Sequence, residues 1–278
     1  MDGLLLIDKP KGITSHDAVA AVRRALGTRK VGHAGTLDPM ATGLLLVGVG
    51  PATRLLRFLG DLDKEYEGTA RLGVETDTLD ADGEATRTAA VDVTESQVRE
   101  AMRALTGEIE QRPPAYSAVK VGGRKLYEAA RKGEELAAPP RRVRVDAFDL
   151  VRYEPPDLDF RVVCSSGTYV RALAADAGWA LGCGAHLTRL IRTRIGPYRV
   201  AEAVPPDAAR DPLPLEEAVA HLPRVVLAPE ETSAARHGRP LGPAGVEGHF
   251  AAFDPDGALV GVYLDEGARA RPEVVIPG

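Results

Sequence analysis

The chain has 278 residues, enough for one large domain, alone or with a small companion, and for a real buried core. Its two cysteines, Cys164 and Cys183, are too few for a disulfide framework or a four-cysteine zinc site, and no apolar run reaches the eighteen residues that suggest a membrane span. The net charge of −5 argues against a nucleic-acid partner only if it is spread evenly, and it is not: residues 201–278 carry 6 basic and 13 acidic side chains, whereas residues 99–145 carry 11 basic and 6 acidic.

Residues 3–8 read as a strand. No basic segment or cleavage site accompanies this short apolar run, which argues against a signal peptide; the low cysteine count is what suits a reduced, cytoplasmic setting. Ser15 is the expected cap of a helix whose apolar face is Val19, Val22 and Leu26 and whose terminator is Gly27. Residues 32–43 then place Gly32, Gly35 and Gly43 around Asp38 and Pro39. Glycines permit positive φ and close backbone approach, and Pro39 pushes Asp38 toward an extended conformation. The stretch is either an ordinary Asp-Pro turn or a carboxylate held at the mouth of a sheet. A buried strand follows at 44–49.

Pro51 suits the first turn of a helix with Leu55, Leu56 and Leu59 inward, Arg54 and Arg57 outward, and Gly60 at its end. In the strand expected over 63–73, Lys64, Tyr66, Gly68, Ala70 and Leu72 share one face. That face either presents Lys64 and Tyr66 to a cleft or half-buries Tyr66. Residues 77–84 invite a calcium reading that fails on spacing: with Thr78 first, the twelfth position is Ala89 rather than glutamate, which leaves a tight acidic turn. Thr94 and Gln97 form a capping box for a helix that Gly107 should close.

Residues 111–118 are extended and turn-rich. Gly122 and Gly123 make a turn, residues 124–132 a short basic helix, and Pro139 and Pro140 return the chain to a strand. This basic excursion, like the separate cluster Arg189, Arg192, Arg194 and Arg199 further along the chain, is either a phosphate footprint or a solvated surface. Strands near 143–153 and 158–165 make a hairpin through Pro155 and Pro156. Arg171 then falls in the first turn of a helix, where a cation is unfavourable unless an anion is close. Prolines over 205–214 mark a composition shift, with a boundary near residue 220 and a small acidic β domain over 223–278.

The stretch Gly-His-Ala-Gly-Thr-Leu-Asp-Pro-Met-Ala-Thr-Gly at 32–43 resembles the active-site motif of the TruB family of tRNA pseudouridine synthases. Companion stretches resemble the same family in the same order: Lys-Pro-Lys-Gly-Ile-Thr-Ser at 9–15, the acidic turn at 77–84, Gly-Thr-Tyr-Val-Arg at 167–171, and residues 186–196. The likeness covers roughly residues 1–200. It implies an α+β pseudouridine synthase fold, with a mixed, mainly antiparallel sheet flanked by helices. It also implies a catalytic domain over 1–220, an insertion at about 112–142 that folds over RNA, and a small PUA-like β domain over 223–278.

The implied activity is isomerisation of uridine 55 in the tRNA T loop, with Asp38, Tyr66 and Arg171 as catalytic residues. His33, Tyr169, Leu190, Lys9, Lys64 and Tyr66 itself are the implied substrate and RNA contacts. The expected partner is the tRNA T stem-loop, with no metal, no cofactor and no obligate protein partner.

The chemistry suits those residue types. The N1–C1′ glycosidic bond breaks, the base turns, and C5 joins C1′, with no change of oxidation state. A carboxylate can act as nucleophile. A closed pocket raises a carboxyl pKa, which a neighbouring arginine offsets. An aromatic ring stacks under the base, and the target nucleotide has to leave its stack to be reached. The rival reading is a non-catalytic RNA-binding module on the same fold. A nucleotide-hydrolysing enzyme is disfavoured by the lack of a phosphate-binding Gly-x-x-x-x-Gly-Lys-Ser/Thr loop.

Overall fold

The computed structural model describes residues 2–276 apart from Arg131 and Glu135. Strand β1 (Gly3–Lys9) turns into helix α1 (Ser15–Leu26). The cap is Thr14 rather than Ser15: the Thr14 hydroxyl accepts from the Asp17 N–H, and the Asp17 carboxylate accepts from the Thr14 N–H. This reciprocal box satisfies two helix-end donors and leaves Ser15 free to turn inward. Gly27 ends α1 at φ 64. Strands β2 (Val31–Ala34) and β3 (Thr42–Val49) take up both ends of the 32–43 stretch, so His33 lies in a strand and the loop proper is 35–41.

The helix expected after Pro51 is broken into a 3-10 turn, Gly50–Arg54, and α2 (Leu56–Gly60). The break lets Leu55 and Leu59 both reach the core while Leu56 stays partly covered. Then come β4 (Lys64–Leu72), the hairpin β5 (Val74–Thr76) and β6 (Ala85–Thr88), α3 (Glu95–Ala104) and β7 (Gly107–Gln111). Thr94 and Gln97 form the expected box, but Gly107 opens β7 instead of closing α3.

The insertion carries β8 (Lys120–Val121), β9 (Arg124–Lys125) and α4 (Leu126–Ala130). Arg124 and Lys125 are thus strand, and Arg131 of the expected basic helix lies outside the described residues. The long pair β10 (Arg141–Glu154) and β11 (Asp157–Cys164) turns at a cis Pro155–Pro156 bond and leads to α5 (Val170–Ala180), β12 (Ala185–Ile195) and β13 (Tyr198–Arg199). The chain ends with β14 (Arg224–Val226), α6 (Pro229–Arg236), β15 (Gly248–Phe253), β16 (Leu259–Asp265) and β17 (Ala270–Val275).

Among the described residues the larger sheet has nine strands along the path β1-β3-β12-β4-β11-β10-β7, with β2 on β3 and β13 on β12. Only the β3–β12 junction is parallel, so the expected α+β fold with a mixed, mainly antiparallel sheet is borne out. At that junction a Cβ on Gly43, which sits at φ 98, would lie 2.4 Å from the Arg192 carbonyl oxygen, so glycine alone allows the close approach. Helices α3 and α5 share a core with β4, β10, β11 and β12.

The last four strands form a sheet in the order β14-β15-β16-β17. Its Ala251, Phe253, Leu259 and Val262 pack in one cluster with Leu4, Leu6 and Leu44 of the large sheet. Arg54 donates to the Val275 carbonyl at 2.7 Å, and Arg57 pairs with Glu273 at 2.6 Å. Among the described residues no helix is long and apolar enough to cross a membrane.

Candidate active site

The 35–41 loop is tied down from beneath. Ser15 Oγ accepts from the Leu37 N–H at 2.9 Å and donates to the Leu37 carbonyl at 3.2 Å. The Gly12 N–H donates to the Pro39 carbonyl at 2.8 Å. Lys9 Nζ donates to Ile13 O at 2.8 Å, to Pro10 O at 3.0 Å and to Pro39 O at 3.5 Å. Lys9 was expected to contact RNA, but it is wholly buried and has no open surface with which to do so; burial lowers its pKa to about 8. The N-terminal 9–15 stretch is therefore the floor of the loop. From the far side Arg192 donates to Gly35 O at 2.9 Å and to Leu44 O at 2.7 Å, and its Nη1 lies 3.5 Å from Thr36 O. Leu37, Met40 and Ala41 anchor the loop in the core shared with Tyr66.

This bracing sets Asp38 in the wall of a cavity of about 380 Å³, within the usual range for small-molecule sites. Asp38, Lys64, Tyr66, Tyr169, Arg171 and Leu190 all line it; His33 and Lys9 do not. The Asp38 side chain is 38% exposed, but the opening is into this concave space. Burial accordingly pushes its carboxyl upward against the pull of Arg171.

Arg171 sits one residue into α5, whose N-cap Tyr169 makes no side-chain capping bond. Two carboxylates answer its charge at that positive helix end. Nε lies 2.9 Å from Asp38 Oδ2, although without the alignment of a hydrogen bond, and Nη1 lies 3.2 Å from Asp80 Oδ2. The remaining donors go to Thr78 O at 2.6 Å and Tyr116 O at 3.0 Å. Arg171 therefore does not clasp Asp38 with a two-bond fork, because its terminal nitrogens are taken by carbonyls and by Asp80.

Sequence reading missed Asp80 as a site residue. Asp80 is buried in the acidic turn, where its Oδ1 accepts from Thr78 Oγ1 at 2.6 Å and from the Asp82 N–H at 3.1 Å. The adjacent Leu79 takes φ 64, a strained value for a bulky residue, and the turn bridges to Leu187 on β12. The one sequence signal was the unmatched cation at the start of α5. Gln111 was also missed. Buried at the end of β7, it accepts from the Tyr169 N–H at 2.7 Å and donates to Tyr169 O at 3.0 Å, which fixes the start of α5.

Tyr66 is buried on β4 and its phenol is pushed up in pKa by desolvation. Lys64, also buried, donates to Gly60 O at 2.8 Å and Leu62 O at 2.7 Å, and desolvation lowers its pKa to about 8. The Arg141 guanidinium lies over the Tyr169 ring, 4.5 Å from its centroid. Leu190 packs in the core beneath. His33 stands on β2 with the His16 ring edge-on at 5.5 Å; burial brings its pKa down to about 4, so the ring is neutral at pH 7. Among the described residues no group of His, Cys, Asp and Glu has the spacing to hold a metal ion.

Such a site can offer a carboxylate nucleophile, a cation that holds it, an aromatic platform with an ionisable hydroxyl, and a concave space of about 380 Å³ that opens to solvent.

Residues 23–170 match the family described as TruB family pseudouridylate synthase (N terminal domain). Residues 171–232 match tRNA pseudouridylate synthase B C-terminal domain, and residues 222–277 match tRNA Pseudouridine synthase II, C terminal. A protein of Thermobifida fusca (strain YX) named tRNA pseudouridine synthase B is 48% identical over 290 residues, covering 100% of this chain and 99% of that one. One of Leifsonia xyli subsp. xyli (strain CTCB07) with the same name is 50% identical over 293 residues, covering 99% and 96%. Among solved structures, a chain in the crystal structure of a Cbf5-Nop10-Gar1 complex has a TM-score of 0.77 and 29% identity, covering 99% of this chain and 85% of that one. A chain in the structure of an H/ACA RNP bound to a substrate RNA containing 2'-deoxyuridine has a TM-score of 0.75 and 28% identity, covering 99% and 85%.

Proposed function

Because the chain belongs to the TruB family of pseudouridylate synthases, we propose that it is a tRNA pseudouridine synthase that isomerises uridine 55 of the T loop with Asp38 as its nucleophile. The observation that carries this reading is Asp38 itself, in the cavity wall 2.9 Å from the Arg171 guanidinium and sharing that cavity with Tyr66.

The flipped uridine enters the cavity, and Tyr66 stacks under the uracil, a contact worth about 1–3 kcal/mol. Asp38 attacks the nucleotide and forms a covalent intermediate; the N1–C1′ bond breaks, and the bond to Asp38 breaks in turn before the product leaves, which returns the free carboxylate. Arg171 keeps Asp38 ionised against the pull of burial, and Asp80 holds Arg171 in place. Once C5 has joined C1′, the Tyr66 oxygen removes the C5 proton. Tyr169 and Leu190 flank the base. Neutral His33 fills the gap left in the T loop by shape rather than charge. Lys9 and Lys64 act as braces of the site, since their ammonium groups are satisfied by main-chain carbonyls. The reaction is redox-neutral, and the scheme uses no metal or cofactor and no obligate protein partner.

We take residues 1–220 as the catalytic unit, about 112–142 as the insertion that covers the RNA, and 223–278 as a PUA-like unit, of which residues 277 and 278 lie outside the described residues. Two buried, unpaired cysteines suit a cytoplasmic setting. A non-catalytic RNA-binding module is the weaker reading, since the Asp38 charge would repel phosphate. The test is to incubate the purified protein with unmodified tRNA transcript and with the isolated T stem-loop, and to map pseudouridine. The proposal expects conversion at uridine 55 in both; binding without conversion would establish the module.

A further inference from the structure

Four cations lie buried around the cavity: Lys9, Lys64, Arg171 and Arg192. Arg171 has two carboxylate partners. Arg192 is only 1% exposed and forms no ion pair among the described residues. Its bonds to Leu44, Gly35 and Thr36 reach neutral carbonyls, which satisfy N–H groups without cancelling the charge. An unpaired buried ion is costly, and an uncharged side chain would avoid that cost. A charge held there suits a neighbour that becomes negative.

The strand register identifies that neighbour. Arg192 on β12 lies directly across the antiparallel ladder from Tyr66 on β4, so the two side chains share a face and both line the cavity. The groups facing the Tyr66 phenol are Arg192 from β12, Cys164 from β11, Asp38 from the loop and Lys64 on its own strand. Burial most of all, and then Cys164 and Asp38, oppose ionisation of the phenol and hold its pKa up; Arg192 is the foremost influence favouring ionisation. The charges that act on Asp38 are instead those of Arg171, Asp80 and Lys9.

We propose that Arg192 is a positioning residue for the proton-transfer step, its unpaired guanidinium stabilising the Tyr66 phenolate that takes the proton from C5. In that step the phenolate oxygen forms an O–H bond as the C5–H bond breaks. The C5–H electron pair re-forms the C5–C6 double bond, the N1–C6 π pair returns to N1, and N1 takes a proton from water. The inference rests on the proposed isomerase reading.

The test is the single-turnover rate of pseudouridine formation against pH, on unmodified tRNA transcript with saturating enzyme. For Arg192→Gln the alkaline rise of the profile should move up by about 1–3 pH units, the range set by one charge at contact distance in a partly polar interior. Arg192→Lys, which keeps the charge but not the carbonyl contacts, should hold the rise near its wild-type place. Incorporating 3,5-difluorotyrosine at position 66, whose phenol is more acidic, should restore Arg192→Gln at neutral pH by about tenfold or more and help the wild type little. A profile parallel to wild type, or no rescue, with tRNA binding intact, would overturn the proposal.

Should Arg192→Gln fail to fold, the wild-type protein labelled with ¹³C at the tyrosine ring carbon bearing oxygen supplies the test. Beside it, Arg192→Met labelled in the same way should show Tyr66 titrating at a higher pH than in the wild type; titration at the same pH in both refutes the assignment. That titration needs no turnover. A wild-type enzyme that makes no pseudouridine would instead refute the isomerase reading.

Discussion

Replacing Arg171 with methionine isolates its charge. The side chain is 4% exposed, and its removal leaves Asp80 buried and without its cation. Breaking a buried pair this way costs about 3–5 kcal/mol. The bonds Asp80 keeps from Thr78 and Asp82 argue for the lower end, so a stability loss of about 3 kcal/mol is expected. For Asp38, a unit charge at about 4 Å and an effective dielectric of about 20 contributes roughly 4 kcal/mol. Asp38 is more than a third exposed, which halves this to about 2 kcal/mol, or roughly 1.5 pKa units.

Asp38 has to be ionised to attack, so the rate falls as pH drops through its pKa. Burial has already raised that pKa, and losing Arg171 raises it further. The acidic limb of the pH–rate profile should therefore move up by about 1–2 units. Raising the pH then recovers the rate lost to protonation but not the rate lost to aiming. Arg171→Lys keeps the charge but cannot supply the spread of contacts to Asp38, Asp80, Thr78 and Tyr116, so it should lose activity with little movement of the limb. The assay is single turnover on saturating enzyme across pH. If the acidic limbs of wild type and Arg171→Met coincide while chemistry is rate-limiting, the ion pair does not govern Asp38.

Tyr66→Phe keeps the stacking ring and loses the oxygen; tRNA binding should stay near normal while turnover falls by roughly 10²–10⁴, and near-normal turnover would reduce Tyr66 to a platform. Asp80→Asn removes a charge from Arg171 but not its place in the turn, and should slow turnover by about tenfold, as expected for roughly 1.4 kcal/mol of lost orientation, with tRNA binding unchanged; an unaltered rate would make Asp80 a packing residue only. Neutralising Arg124, Lys125, Arg141 and Arg142 together should weaken tRNA binding and flatten its salt dependence by roughly 0.7–0.9 per lost phosphate contact. Arg124 already pairs with Glu134 at 2.6 Å and should count for least; an unchanged slope would mean that these charges face solvent in the complex.

The parts of the site that depend on local rules were legible in the sequence. Alternation along β4 put Lys64 and Tyr66 on the buried face with Gly68, Ala70 and Leu72. A cation at a helix start announced that Arg171 needed an anion. What escaped was what distant pairing decides. Asp80 reaches Arg171 because its turn is bridged to Leu187, and Arg192 meets Tyr66 through strand register; neither is encoded within a few residues.

Lys9 stood as an RNA contact because only the folded loop supplies the carbonyls that bury it. The cap at Thr14 was readable from Asp17 three residues on, a signal that Ser15 obscured. The net acidity of residues 201–278 does not show which of its charges are matched: Glu273 pairs with Arg57 and Arg271, and Glu266 with Arg269 and Arg271.

The most direct measurement of the central claim compares wild type and Asp38→Asn on unmodified tRNA, with binding and pseudouridine formation read in the same samples. Asparagine keeps the shape of Asp38 and removes its nucleophilicity. The account predicts binding within a few-fold of wild type and no pseudouridine after many wild-type half-lives. Conversion by Asp38→Asn at a rate close to wild type would contradict it, because the cavity would then be doing its chemistry without the carboxylate around which it is built.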